Sequence, residues 1–187
     1  MNKEMTQSLD ERPSPQICWP VGFAPSDADL FARNHIWIAA STATVWHHLV
    51  EAPKWPDWYP NAHNVRVTTG NDRSELAPGA GFEFDTFTLH VNAIVGEFDP
   101  PHQLGWFGTA PDFTTFHAWL LSATAGGCQV VTEEAARGKA AIAFKSPDPL
   151  AMQKGHQIWL ETLKEIAERG SPGDGSDSPA GTAMSSR

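Results

Sequence analysis

What the chain lacks narrows its function first. No apolar run is long enough to span a bilayer, and the opening MNKEMTQSLDERPSPQ has no hydrophobic stretch of the kind that directs secretion. The expectation is a cytoplasmic protein with no membrane insertion. Cysteine is scarce: Cys18 and Cys128 stand far apart and match no metal, redox or paired-disulfide spacing, so both read as reduced thiols. Basic residues are few and scattered, 13 Lys and Arg against 22 Asp and Glu for a net charge of -9, which leaves no positive face for a phosphate backbone. Nucleic acid is therefore not an expected partner. HExxH, GxSxG, GxGxxG and P-loop patterns are all missing. His47 and His48 are adjacent and would point to different sides of a helix, a poor arrangement for sharing an ion. Neither a metal nor a cofactor is expected.

Tyrosine occurs once, against eight tryptophans and ten phenylalanines. Rings of that size can line a roomy interior, though they also suit an ordinary core. The length of 187 residues fits one domain with extensions. Residues 1–32 read as an N-terminal extension in which CWPVGF, at 18–23, is apolar enough to act as a strap. Residues 33–169 read as the domain. The Gly-, Ser- and Asp-rich stretch 170–187 reads as a disordered tail.

Within the domain, NHIWIAA at 34–40 favours a strand, and Ser41 or Thr42 can cap a helix carrying Val45, Trp46 and Leu49 before Pro53 ends it. A short helical turn fits 54–62. Strands are expected near 63–69, 80–85, 87–98, 103–109, 114–123 and 128–136, separated by Gly- and Pro-bearing turns. Asp148 followed by Pro149 signals the start of a helix running to about residue 169. Its Met152, His156, Trp159, Leu163 and Ile166 share one face, widened by Leu160 and Ala167.

This order resembles the helix-grip fold of the SRPBCC superfamily, which includes START-type lipid carriers and polyketide cyclase/dehydratases. TVWHHLVEAPKWPDWYP at 44–60 is similar to the family's "VW..L.....WP.WYP" segment, and EFDPPHQLGWFG at 97–108 to its "E..PP..L.W.G" turn. FHAWLL, GGCQVVTEE and HQIWLETLKEIAE also resemble family segments. The resemblance implies an α+β fold in which a curved seven-stranded antiparallel sheet wraps a long C-terminal helix, with two short helices after the first strand. It also implies an internal cavity for a small hydrophobic molecule, and it is compatible with a homodimer.

Alternation along the strands offers candidate cavity residues. On the strand at 114–123, either His117, Trp119 and Leu121 or Phe116, Ala118 and Leu120 face inward; an "H.W" pair kept by the resembling family favours the first set. Phe84, Thr86, Val91, Trp106 and Thr132 join them from other strands, and Met152 and Trp159 from the helix, as ligand-binding candidates. His117, Glu134 and His156 interrupt an otherwise apolar wall and are the candidate catalytic residues. Near its strand end Glu134 can simply be solvated; if buried it needs a partner, because an unsatisfied buried polar group costs roughly 2–7 kcal/mol, and a cavity histidine or the strap could supply one. The implied function is binding of a polyketide-like molecule with cyclisation or dehydration by proton transfer, His117 moving the proton. The alternative is a non-catalytic carrier or sensor using the same pocket.

Overall fold

The computed structural model describes residues 16–70, 73–146 and 148–169. The expected tail and the first fifteen residues of the extension lie outside the described residues. Seven strands form one antiparallel sheet: β1 (Leu30–Ile38), β2 (His63–Val67), β3 (Gly81–Thr86), β4 (Leu89–Asp99), β5 (Gln103–Ala110), β6 (Phe113–Thr124) and β7 (Gly127–Arg137), in spatial order β1-β7-β6-β5-β4-β3-β2. After β1 come the helix α1 (Thr42–Val50) and a 3-10 segment at Ala52–Asp57; α2 (Lys139–Phe144) and the long α3 (Ala151–Arg169) follow the sheet. This is the helix-grip arrangement.

Local chemistry accounts for most of these boundaries. Ser41 Oγ accepts the Thr44 amide at 3.1 Å and caps α1. Pro53 and Pro56 favour the 3-10 segment, which is shorter and earlier than the helical turn expected at 54–62. The first strand begins at Leu30 rather than Asn34, because β7 supplies partners as far as Leu30↔Ala136. The final helix begins at Ala151, two residues beyond Pro149. Asp148 accepts the Leu150 amide at 3.0 Å and the Lys154 ammonium at 2.7 Å, so it closes a turn in front of the helix. The short α2 was not expected. KAAIAF is too brief to show a helical period, and Gly138 leads into it at φ 111, where a Cβ would lie 2.2 Å from the Asp112 carbonyl oxygen.

The concave face of the sheet carries Phe82, Phe84, Val91, Trp106, His117, Trp119 and Val130, and α3 lies over it with Trp159, Leu160, Leu163 and Ala167 buried. Asn34 anchors the helix from β1, its amide donating to the Gln153 carbonyl and to Gln157 Oε1, both at 3.1 Å. On the convex face the apolar side chains of β6 are also covered: Trp19 packs edge-on to Phe31 and Phe116 at 6.0 Å, and Phe23 to Phe107 at 5.5 Å. Both faces of β6 are thus apolar because both are buried. No helix among the described residues is long and apolar enough to cross a membrane.

Truncating Leu163, which is fully buried between α3 and the sheet, should lower stability in urea by about 2–5 kcal/mol as Leu163→Ala. Ile158→Ala, on the exposed side of the same helix, should stay within about 0.5 kcal/mol of the parent. Equal losses would show that α3 does not pack as described.

Candidate functional site

The site is built by strand register. Pairing of β6 with β7 sets His117 directly across from Glu134, and Trp119 across from Thr132; pairing of β5 with β6 sets Trp106 across from His117. All of these side chains share the concave face. The α3 stripe then lowers His156 and Trp159 onto them, so residues from β5, β6, β7 and α3 meet at one place.

At its centre Glu134 Oε2 lies 2.9 Å from His156 Nε2 and 3.5 Å from His117 Nδ1. Its other oxygen, Oε1, is 2.8 Å from the Thr115 hydroxyl, whose single proton can instead go to the Ala135 carbonyl at 3.1 Å. His117 Nε2 meets the Thr132 hydroxyl at 2.7 Å. The rings of His156, His117 and Trp119 form a stack, 4.7 Å and 5.4 Å between successive centroids. Glu134 is therefore not solvated, and its partners are the two cavity histidines and a threonine rather than the strap, which lies on the other face of the sheet.

Burial governs the charges. It disfavours the ionised form of Glu134, but the imidazoles of His117 and His156 and the Thr115 hydroxyl outweigh it and hold the carboxyl below the usual carboxylate range. Burial pulls His117 well below the ordinary imidazole value against the attraction of Glu134, so this ring is neutral near pH 7. Burial likewise pushes the Tyr59 hydroxyl up, keeping it a neutral group. With Nε2 turned to the Glu134 carboxylate, His156 has its Nδ1 buried and without a hydrogen-bond partner; Trp119 Nε1 and Trp159 Nε1 are in the same condition. Three unsatisfied polar atoms around one imidazole pair are unusual in a packed interior.

A pocket opens beside this cluster. Of the expected wall, Phe84, Thr86, Val91, Trp106, Met152 and Trp159 line it together with His117, Glu134 and His156. Trp119 and Thr132 do not: Trp119 lies on the far side of the His117 ring, and the Thr132 hydroxyl is taken up by His117 Nε2. Tyr59, Thr115, Phe87 and Phe144 also line the pocket and were not among the expected residues. Thr115 shares the inward face of β6 with His117, so alternation alone would have found it. Phe144 sits on the unexpected α2, and Phe87 in the turn between β3 and β4, where no periodicity applies.

The closed space is small, about 40 Å³, room for about two or three water molecules. Indoles take up most of the interior: Trp55, Trp106, Trp119 and Trp159 are all buried, with Tyr59 stacked on Trp159 at 4.3 Å. At the mouth Phe87, at φ 50, packs edge-on to Phe144 at 5.0 Å. Beneath it, α3 carries Gly155, where a Cβ would come within 2.4 Å of the Phe87 ring. Glycine thus lets the Phe87 ring rest directly on the helix backbone.

The family model described as polyketide cyclase/dehydrase and lipid transport matches residues 32–168. Among solved structures, the hypothetical protein jhp0584 from Helicobacter pylori is 29% identical with a TM-score of 0.76, the match covering 83% of this chain and 98% of that one. TTHA0849 from Thermus thermophilus is 14% identical with a TM-score of 0.63, covering 75% and 99%. The di-domain ARO/CYC protein StfQ of the steffimycin biosynthetic pathway is 16% identical with a TM-score of 0.62, covering 75% of this chain and 52% of that one. These last two share the fold alone. No curated protein matches the sequence.

Removing the carboxylate from the centre of the cluster should be costly. Glu134→Ala is expected to lower stability by about 1–3 kcal/mol in urea unfolding, because buried imidazole N–H and Thr115 hydroxyl groups lose their common acceptor. Lys154→Ala, which breaks the exposed pair with Asp148, should cost under about 1 kcal/mol. A loss at Glu134 as small as that at Lys154 would mean the cluster is wet.

Proposed function

The chain belongs to the polyketide cyclase/dehydrase and lipid-transport family, and we propose that this protein binds a small hydrophobic carbonyl compound and promotes its cyclisation or dehydration by proton transfer. One observation carries the reading: a carboxylate shared by two histidines lies at the wall of an apolar pocket, with an imidazole nitrogen and an indole N–H left unpaired beside it. In such a site rings supply affinity and a few polar groups fix orientation.

The geometry favours His156 over His117 as the proton carrier. Both nitrogens of His117 face partners, Thr132 and Glu134, whereas His156 is held by Glu134 through Nε2 and keeps a free Nδ1 lone pair. A carboxylate that orients one imidazole nitrogen and leaves the other free is the arrangement of a general base. His156 Nδ1 takes the proton from the carbon next to the carbonyl. That C–H bond breaks and its electron pair moves to the carbonyl oxygen, forming an enolate. Glu134 stabilises the resulting imidazolium, and the unpaired Trp159 N–H offers a donor for the enolate oxygen. In cyclisation the enolate carbon then bonds to a second carbonyl carbon, whose oxygen takes up the proton from His156; in dehydration His156 removes a second hydrogen from the carbon next to the first carbonyl and returns it to the departing hydroxyl, so that a C=C bond forms as the C–O bond breaks and water leaves. His117, neutral and fixed, positions Glu134.

The volume bears on the carrier alternative. Ligand pockets commonly run to about 300–1,000 Å³, far above the 40 Å³ of the closed form. A long lipid would displace far more of the buried indoles than a small ring or short-chain ketone, and Phe87, 44% exposed on a turn, is the lining ring freest to move. The polar cluster and the small volume together support the catalytic reading.

Acetophenone serves as a probe, with exchange of its methyl hydrogens into deuterated water followed by NMR and its binding by fluorescence of the pocket tryptophans. His156→Ala is expected to slow exchange by about 10²–10⁴-fold with binding retained; unchanged exchange would sink the base assignment. Phe87→Ala should strengthen acetophenone binding by widening the mouth, and weaker binding would argue that the molecule enters elsewhere.

A further inference from the structure

We propose that His117, Glu134 and His156 together bind one divalent transition-metal ion of the zinc type, its open side toward the pocket. This goes beyond the function proposed above and does not depend on it. His117 Nδ1, Glu134 Oε2 and His156 Nε2 lie within 4.8 Å of one another, with 2.9 Å and 3.5 Å separating the carboxylate oxygen from the two nitrogens. Nitrogen and oxygen ligands about 2.0–2.2 Å from a tetrahedral ion stand about 3.3 Å apart, so the two carboxylate–nitrogen separations already lie near that value, and closing the imidazoles around an ion completes the set. Two imidazoles and a carboxylate are a donor set for late divalent metals, and three protein ligands leave a coordination position for water or substrate.

Charge balance points the same way. Glu134 is buried, and no Lys or Arg pairs with it among the described residues; the nearest such pair on β7, Arg33 with Glu133, belongs to the neighbouring residue. The partners of this carboxylate are two imidazoles and a hydroxyl, with no Lys or Arg cation among them. A metal ion supplies one at the point where the three donors converge. The surroundings suit an outer shell as well: Thr132 bonds the remaining nitrogen of His117 and Thr115 bonds the remaining oxygen of Glu134, which fixes both ligands in orientation. The room beside the cluster is enough for a metal-bound water.

Loading has a chemical consequence. With Nε2 of His156 on the ion, the neutral ring must carry its proton on Nδ1, so the free lone pair of the metal-free protein becomes a donor. The metal-bound cluster can no longer use His156 as a base, and any proton acceptor there must be the metal-bound water.

The test uses the full chain after chelator treatment, titrated with Co²⁺ as a visible-absorbing probe and with Zn²⁺ by calorimetry. The expected result is uptake of one ion per chain with the intense visible bands of low-coordinate cobalt. Binding should be lost in His156→Ala and Glu134→Gln, and weakened about 10–100-fold in Thr132→Val, which keeps all three ligands should the others fold poorly. Glu51→Ala combined with Glu75→Ala, in the exposed cluster around His47, should bind as the parent does. No uptake of either ion overturns the proposal, as does uptake that survives Glu134→Gln or disappears with the Glu51 and Glu75 changes. Acetophenone exchange in the chelator-treated protein separates the two readings. Exchange without metal uptake sinks only the metal site, and metal uptake without exchange sinks only the proton-transfer chemistry.

Discussion

A single buried carboxylate organises this molecule's interior. Glu134 sits on a central strand beneath the long helix, and its charge is tolerable only because His117, His156 and Thr115 converge on it. That requirement ties three elements together. β6 must pair with β7 in the register that puts His117 opposite residue 134, and α3 must lie over the sheet with His156 turned down. A slip of one residue in β6 would send the His117 imidazole to the convex face, and a slip in β7 would send the carboxylate there, so either would part the pair.

The aromatic residues serve the same end from outside the cluster. Trp106, Trp119 and Trp159 surround the His117 imidazole with apolar surface at centroid distances of 4.7–5.5 Å, and this burial makes His117 neutral. They also fill the space. The same rings that create a low-dielectric site leave little free volume in it, so a ligand of useful size must move something, and Phe87 over Gly155 is the part least tied to the sheet. Chemistry and access are thus set by different residues: the strands hold the polar groups, and the β3–β4 turn with α2 holds the mouth.

Much of this was legible in the residues alone. The order of strands and helices follows from turn signals, alternation and helical spacing; alternation leaves both apolar faces of β6 open, the family resemblance selects the His117 set, and the cost of an unpaired buried charge says only that a buried Glu134 needs a partner. Strand starts were misjudged where a partner strand extended the pairing, as at Leu30, and α2 was missed because six residues cannot display a period. The spacing of residues close together in sequence leads to no expected metal. His117, Glu134 and His156 are far apart along the chain and become neighbours only through β6–β7 pairing and helix docking.

By itself the sequence determined which side chains share a face, since backbone periodicity dictates direction, but on β6, where both faces are apolar, it did not determine which of them is concave. It also determined that those side chains would be mostly rings with a few polar interruptions. Only the tertiary structure decided how closely the rings approach, and therefore that the cavity is about 40 Å³ rather than ligand-sized. It decided as well which imidazole keeps a free nitrogen. Both are matters of a few tenths of an ångström between residues distant in the chain, and no local pattern encodes distances of that kind.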